Sequence, residues 1–367
     1  SEIAHGASSS RTSRTLHPGS IACSSFNSFC IRLPTDQIDD LFRSSLSVDR
    51  MLKLSRRYYG PALCFFIYTI SSVSTTTVAA SVPEDLNFEL VEVADGIFVH
   101  TGRQVDLDHG DRGDSANIGF IVGEKCVAVI DTGGALQTGR ALRAAIATQT
   151  PLPVCFVINT HVHFDHVLGN AAFVEDGVEF VGHRNLAAAM AGNREFFAKQ
   201  FSEELEGRTP DSVVGPTLTV AENLALDLGG RTLLLEAQAT AHTNADLSVL
   251  DEKTATLWTG DLVFMGRLPI LDGSLRGWLA WLDKNQHKEF ARIVPGHGRA
   301  SANWPGGAGP QREYLEALLA DGRKAVAGGM FLEDAIESMS RDAAAPWLLN
   351  GRHPRNVSRA YRELEWE

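Results

Sequence analysis

The segment Thr160-His161-Val162-His163-Phe164-Asp165-His166 places three imidazoles and one carboxylate within six consecutive residues. Neutral imidazole nitrogen and carboxylate oxygen are the usual partners of zinc. The segment follows Val154-Cys155-Phe156-Val157-Ile158, an apolar run that reads as a buried strand. Side chains alternate along an extended chain, so His161 and His163 can point the same way. Asp165 and His166 lie past the strand end, where a turn can aim them at a second, nearby point. One short segment can therefore supply ligands to two adjacent metal ions. A single histidine here would read as a chance loop residue; four ligand residues in this order do not.

Two ions need more donors than one loop can give. His242 sits in Ala239-Thr240-Ala241-His242-Thr243-Asn244, between two strand-like runs. Asp261 follows Trp258-Thr259-Gly260, just past a strand, and His297 lies between two glycines after Val294-Pro295. Small neighbours leave room for an ion at each. Taken singly, His242 and His297 read equally well as surface-loop histidines, and Asp261 as a turn or cap residue. The ordered set does not arise easily by accident.

These residues must be positioned by the elements around them. Phe88–Val93 and Ile97–His100 alternate like strands about an Ala94-Asp95-Gly96 turn. Asn117–Val122 and Lys125–Ile130 form another strand pair, and the second ends in Asp131-Thr132-Gly133-Gly134. Apolar residues from Ala135 to Thr148 recur at helical spacing, and Pro151 and Pro153 end that helix. Further strands are expected at Val178–Val181, Thr217–Val220, Leu224–Leu228, Thr232–Ala237, Asp246–Leu250, Ala255–Trp258 and Arg292–Val294. Helices are expected at Asn185–Glu206, Ser274–Phe290, Gln311–Ala327, Leu332–Met339 and Asn356–Leu364, with Gly306–Pro310 as a linker. Strands then helix, given twice with metal-type residues at the strand ends, fit two packed sheets covered by outer helices.

Of the 367 residues, 44% are apolar and 21% charged, the composition of a globular chain. The net charge of -12 argues against a broad nucleic-acid surface but does not exclude a local basic pocket. Met51-Leu52-Lys53-Leu54-Ser55-Arg56-Arg57, the apolar run Ala62–Ile70 and Val78-Ala79-Ala80 follow the basic, apolar, small-residue order of a secretory signal peptide. Residues 51–80 are therefore expected to be cleaved after Ala80, and residues 1–50 to be an upstream or non-native, disordered segment. Cys126 and Cys155 each lie in an apolar strand-like run. Buried free thiols are the expectation, because a bridge between neighbouring parallel strands is usually strained.

The order of the ligand-type residues resembles the metallo-β-lactamase-fold hydrolases: an H-x-H-x-D-H loop, then a His, an Asp and a final His. The likeness runs from about Leu90 to Gly298 and includes Asp131-Thr132-Gly133. It implies an α+β four-layer αβ/βα sandwich of two mixed β-sheets with outer helices, formed by residues 84–305, with residues 306–367 as a helical extension packed on it. It also implies a ligand set. His161, His163 and His242 would hold one ion, Asp165, His166 and His297 the other, and Asp261 would bridge them. Asp131 would fix the metal loop from behind, or else cap the helix that follows. Gly260-Asp261-Leu262-Val263-Phe264, Asp272-Gly273-Ser274-Leu275, Gly277-Trp278 and Tyr361-Arg362-Glu363-Leu364-Glu365 are similar to the exported quinoprotein relay system zinc metallohydrolases. Flavin-linked di-iron members carry Glu at the position of His163. Nucleic-acid-processing members insert a large domain that the stretch from Asp261 to His297 is too short to hold. Many true β-lactamases carry Cys or Ser in place of Asp261.

The implied activity is that of an exported, periplasmic or secreted dinuclear zinc hydrolase. It would use a hydroxide held between two Zn2+, with Asp165 and Asp261 beside it, on a carbonyl or ester-type small molecule; iron or manganese could replace zinc. No nucleic acid, and no membrane after signal cleavage, is expected as a partner. A β-lactamase is one alternative. Another is a mononuclear iron oxygenase of sulfur compounds, or an accessory factor of a periplasmic redox pathway, which would need few of the second-site ligands.

Overall fold

The computed structural model describes residues 88–106, 108–174 and 177–367. The expected upstream segment and signal peptide lie outside the described residues. The chain opens with strands β1 (Val91–Ala94), β2 (Ile97–His100), β3 (Ile118–Val122) and β4 (Val127–Ile130). Helix α1 (Leu136–Gln149) leads to β5 (Val154–Ile158), the short helix α2 (Phe164–Val167) and β6 (Glu179–His183). After α3 (Leu186–Gln200) come β7 (Leu218–Val220), β8 (Asn223–Asp227), β9 (Thr232–Ala237), β10 (Leu247–Asp251) and β11 (Thr256–Phe264). Helix α4 (Leu275–Asn285) and β12 (Arg292–His297) precede α5 (Gly309–Ala327), α6 (Leu332–Ser338), α7 (Arg341–Ala344) and α8 (His353–Leu364).

Strands β1 to β7 form a seven-stranded sheet in sequence order, and β12-β11-β10-β9-β8 form a five-stranded one. Both are mixed. Pairing in the first turns parallel from β4 to β7, and in the second only β11 and β12 run parallel. Period-two alternation explains the layering. In β4, Ala128 and Ile130 face the second sheet and meet Leu233, Leu235, Val249 and Trp258, while Val127 and Val129 face α1 through Leu142 and Ile146. On the far side of the second sheet, Leu257 and Leu262 pack on Trp278 of α4, Tyr314 of α5 and Val357 of α8. The result is the expected α+β sandwich, helix–sheet–sheet–helix. Each fully buried Leu, Ile or Val contributes about 1.5–3 kcal/mol.

Several local expectations change. Strand β11 runs on to Phe264 because it pairs in parallel with all of β12, out to Phe264↔His297. Asp261 thus lies inside a strand and not past its end. Helix α3 stops at Gln200, although its apolar pattern continues. Phe201 leaves the helical region, with φ -119°, to bury its ring on Phe164, and Glu204 pairs with Arg112. The expected linker at 306–310 instead forms a 3-10 turn, Gly306–Ala308, that runs directly into α5.

The expectation of free thiols is overturned: Cys126 and Cys155 form a disulfide, with Cα atoms 5.8 Å apart. Val127 pairs with Val154 but Ala128 with Phe156, so Cys155 is the extra residue of a bulge. A bulge re-aims its side chain, which removes the strain argument for two regular parallel neighbours.

Candidate metal centre

Strand β5 ends at Ile158, and the next residues carry His161 and His163 across the mouth between the sheets. His163 is then the N-cap of α2, so the chain turns and delivers Asp165 and His166 from a helix. His242 comes from the loop between β9 and β10. There, Thr243 donates from its backbone N to Asp246 Oδ2 (2.9 Å) and from its hydroxyl to Oδ1 (2.5 Å). Asp261 comes from β11 and His297 from the end of β12.

All seven expected ligand residues meet. His161, His163, His242 and Asp261 form one group and Asp165, His166 and His297 another, with the donor atoms of each within 4.8 Å of one another. Asp261 faces both. Its Oδ2 lies 3.3 Å from His242 Nε2 and 3.5 Å from His161 Nε2. Its Oδ1 lies 3.2 Å from His166 Nε2 and 3.3 Å from His297 Nε2. Asp165 Oδ2 completes the second group, 3.5 Å from His297 Nε2. Two glycines permit this approach. A Cβ on Gly296 would fall 2.0 Å from Asp261 Oδ1, and one on Gly260, at φ +50°, would fall 2.6 Å from Thr160 Cβ.

The hydrogen bonds behind the rings decide which nitrogen faces inward. Asp131, at φ 54° where β4 ends, turns its carboxylate beneath the metal loop. It accepts from Thr160 N (2.8 Å), from the Thr160 hydroxyl (2.7 Å) and from His166 Nδ1–H (2.8 Å). It therefore does not cap α1, whose N-cap is Ala135. With the Thr160 proton directed to Asp131, His161 Nδ1–H donates to Thr160 Oγ1 (3.1 Å). His242 Nδ1–H donates to the Ile270 carbonyl (2.6 Å), and His297 Nδ1–H to the Ser115 carbonyl (2.8 Å). His163 is reversed: Nε2–H donates to Asp272 Oδ2 (2.9 Å), leaving Nδ1 inward.

These bonds test whether the residues suit a cation. In the neutral rings, His163 Nδ1 and His242 Nε2 aim lone pairs at each other across 3.0 Å. That contact is repulsive unless a cation lies within reach of both. His161 Nε2, His166 Nε2 and Asp261 Oδ1 are buried and make no hydrogen bond, although an unpaired buried polar group ordinarily costs about 1–3 kcal/mol. The donor set fits two metal ions. Burial opposes ionisation of Asp261, but the electrostatic influence of His297, His166 and His161 around it holds its carboxyl well below the usual range. Burial, then His166, pushes His161 well below the ordinary imidazole value.

Some contributors were not apparent from the sequence. Asp272, which orients His163, is itself bonded by Arg355 (2.5 Å). Ser115 holds both His297, by its carbonyl, and Asp165, by its hydroxyl (2.9 Å). The Asp272-Gly273-Ser274-Leu275 likeness drew attention to this turn at the start of α4 but gave Asp272 no role.

A two-sheet sandwich with a two-site His/Asp cluster at its mouth defines a metal-centre scaffold. The metallo-beta-lactamase superfamily family model matches residues 111–297, which span the cluster, and the chain belongs to that superfamily. The stereoselective inverting sec-alkylsulfatase Pisa1 from Pseudomonas sp. superposes with a TM-score of 0.56 at 16% identity, covering 76% of this chain and 50% of that one. A double mutant of the same enzyme gives the same score at 17% identity. The present chain thus spans about half the length of that sulfatase. A metallo-beta-lactamase from Pontibacter korlensis matches at 21% identity and TM-score 0.49, covering 62% of this chain and 98% of that one. No curated protein sequence matches.

Proposed function

We propose that this chain is an exported dinuclear zinc hydrolase that cleaves a carbonyl or ester-type bond of a small molecule. The observation that carries the reading is the division of Asp261, one oxygen toward His161 and His242 and the other toward His166 and His297. A mononuclear oxygenase would have no use for the second group. When bound, two zinc ions supply Lewis-acid polarisation of the substrate oxygen and a water that is deprotonated near neutral pH.

The chain's own residues do the rest. Asp131 and Asp272 hold His166 and His163 in the tautomers that leave the inward nitrogens bare. The Ser115 hydroxyl turns Asp165 so that its carboxylate borders the cleft, where it can orient the attacking water and hold its proton. Phe164, Phe197 and Phe201 line one side of the cleft and exclude bulk water, which strengthens the polar interactions within. The disulfide suits an oxidising compartment, in line with export. Among the described residues, no helix is long and apolar enough to cross a membrane.

Elemental analysis of purified protein should find two zincs per chain. A panel of nitrocefin, lactones, glutathione thioesters and a sec-alkyl sulfate identifies the bond cleaved. One iron per chain with no hydrolysis would replace this reading with the oxygenase. Expressed in a Gram-negative host, the exported protein should begin near Ser81; uncleaved protein that stays in the cytoplasm would refute the export reading.

A further inference from the structure

The cleft over the cluster, about 560 Å³, has two unlike walls. One is α3, which presents Ala189, Asn193, Phe196 and Phe197 at helical spacing, with Phe201 just beyond. Phe196 is 56% exposed there, an uncovered ring beside the opening. The other wall is α8 with the residue that caps it. Arg352, Arg355 and Arg359, spaced i, i+3 and i+7, share one face and line the cleft. The opposite face of α8 buries Val357, Ala360 and Tyr361 in the core, which fixes the helix in place.

The charge on this wall is anomalous. Apart from the candidate metal ligands, the charged residues lining the cleft are Arg267, Arg352, Arg355, Arg359 and one carboxylate, Asp272. The whole chain carries -12. Arg352 is the N-cap of α8, Arg355 sits in its first turn, and that turn holds no acidic residue. A helix N-terminus already carries positive dipole charge, so cations gathered there oppose stability. Arg352 is offset by Asp106 and Arg355 by Asp272. Arg359 donates only to the Gly273 carbonyl (3.1 and 2.9 Å), and among the described residues no carboxylate pairs with it. A local arrangement that costs stability and points into a cleft is where function is expected.

We infer that the arginine face of α8 binds an acidic group of the substrate while the phenylalanine wall of α3 takes an apolar portion, so that the preferred substrate is an amphiphilic anion. The inference rests on the hydrolase reading only for which bond is broken. A guanidinium presents a planar fork of donors suited to carboxylate, sulfate or phosphate oxygens. The C-terminal helices thereby become part of the substrate site as well as a cover for the second sheet.

The test is calorimetric titration of the zinc-loaded protein with octane-1-sulfonate, which cannot be hydrolysed, and with octan-1-ol. The sulfonate should bind at least about tenfold more tightly, the worth of one charge-assisted contact, and should weaken as salt rises. Arg359→Gln and, separately, Arg352→Gln should each lose most of that difference with octanol binding and zinc content unchanged. Arg355 is spared because it touches Asp272. Equal binding of the two probes overturns the inference. So does undiminished sulfonate binding in both variants, with circular dichroism matching the parent. Direct attachment of the sulfonate to metal would appear as this second result. If the sulfonate behaves as expected and no ester in the panel is cleaved, the hydrolase reading fails and the anion site stands. If esters are cleaved and the probes bind alike, the reverse holds.

Discussion

Replacing Asp261 with Asn keeps the shape of the side chain and removes the one group that faces both halves of the cluster. Its oxygens stand 3.2–3.5 Å from four imidazole nitrogens, two on each side. Losing an outer partner of a ligand costs about 10–100-fold in metal affinity, so losing a shared ligand should cost at least about a hundredfold at each site. Ion binding to the folded state adds stability as the logarithm of affinity, and a hundredfold is about 2.7 kcal/mol. In saturating zinc, Asp261→Asn should therefore unfold at least about 5 kcal/mol more easily than the parent, counting both sites. In chelator the gap should shrink to the roughly 1–3 kcal/mol of a disturbed buried polar contact, since β11 is held by its pairing with β10 and β12. His297→Ala, which removes a ligand from one group only, should show about half the zinc-dependent gap. Urea unfolding with zinc and with chelator, beside metal stoichiometry, measures this directly. An Asp261→Asn protein that keeps two tightly held ions, or whose gap in zinc equals that in chelator, would refute the bridge.

Asp272→Asn should lower affinity for one ion by about 10–100-fold and leave the other unchanged, because His163 is the ligand residue that donates to it; competition with a chromophoric chelator reads the two sites. Away from the cluster, Arg231 is bonded bidentately by Asp251 (2.8 and 2.9 Å) and both are buried. Burial opposes ionisation of Asp251, but Arg231 and Thr254 together hold its carboxyl below the ordinary value. Asp251→Asn should cost about 3–5 kcal/mol at pH 7 by stranding Arg231. That deficit should persist down to the unfolded carboxyl value near 3.9 and vanish as pH falls through the lower folded value; denaturant unfolding at pH 7 and pH 3 would expose an undiminished deficit. The non-reduced protein should be about two hydrogens lighter than the reduced one. Cys126→Ala/Cys155→Ala should lower stability by about 3–4 kcal/mol for the separation of 29 residues, and a reductant that leaves parental stability unchanged would count against the bridge.

Much of the centre could be read from the chain itself because its donors sit where local rules operate. His161, His163, Asp165 and His166 are nearly consecutive after an apolar strand, and His242 and His297 follow strands with small residues beside them. Alternation along β3 and β4, and helical spacing along α1, account for the layers in the same way. These signals depend only on the geometry of short segments. The end of α3 could not be read so, because Phe201 leaves the helix to meet Phe164, a contact made by packing and not by propensity. The length of β11 depended on β12, some 35 residues on, and the pairing of Cys126 with Cys155 on a bulge that alternation does not reveal.

The sequence by itself determined that donors for two ions exist, in what order they come, and that strands present them. Only the tertiary structure decided that the two oxygens of Asp261 part between the two groups, that Asp272 reaches His163 across 109 residues, and that α8 turns three arginines toward the same cleft. The physical reason is that residue type and periodicity specify what a segment can offer and which face it offers. Who meets whom is settled when two sheets and their covering helices bury their apolar faces together, and no local pattern encodes that meeting.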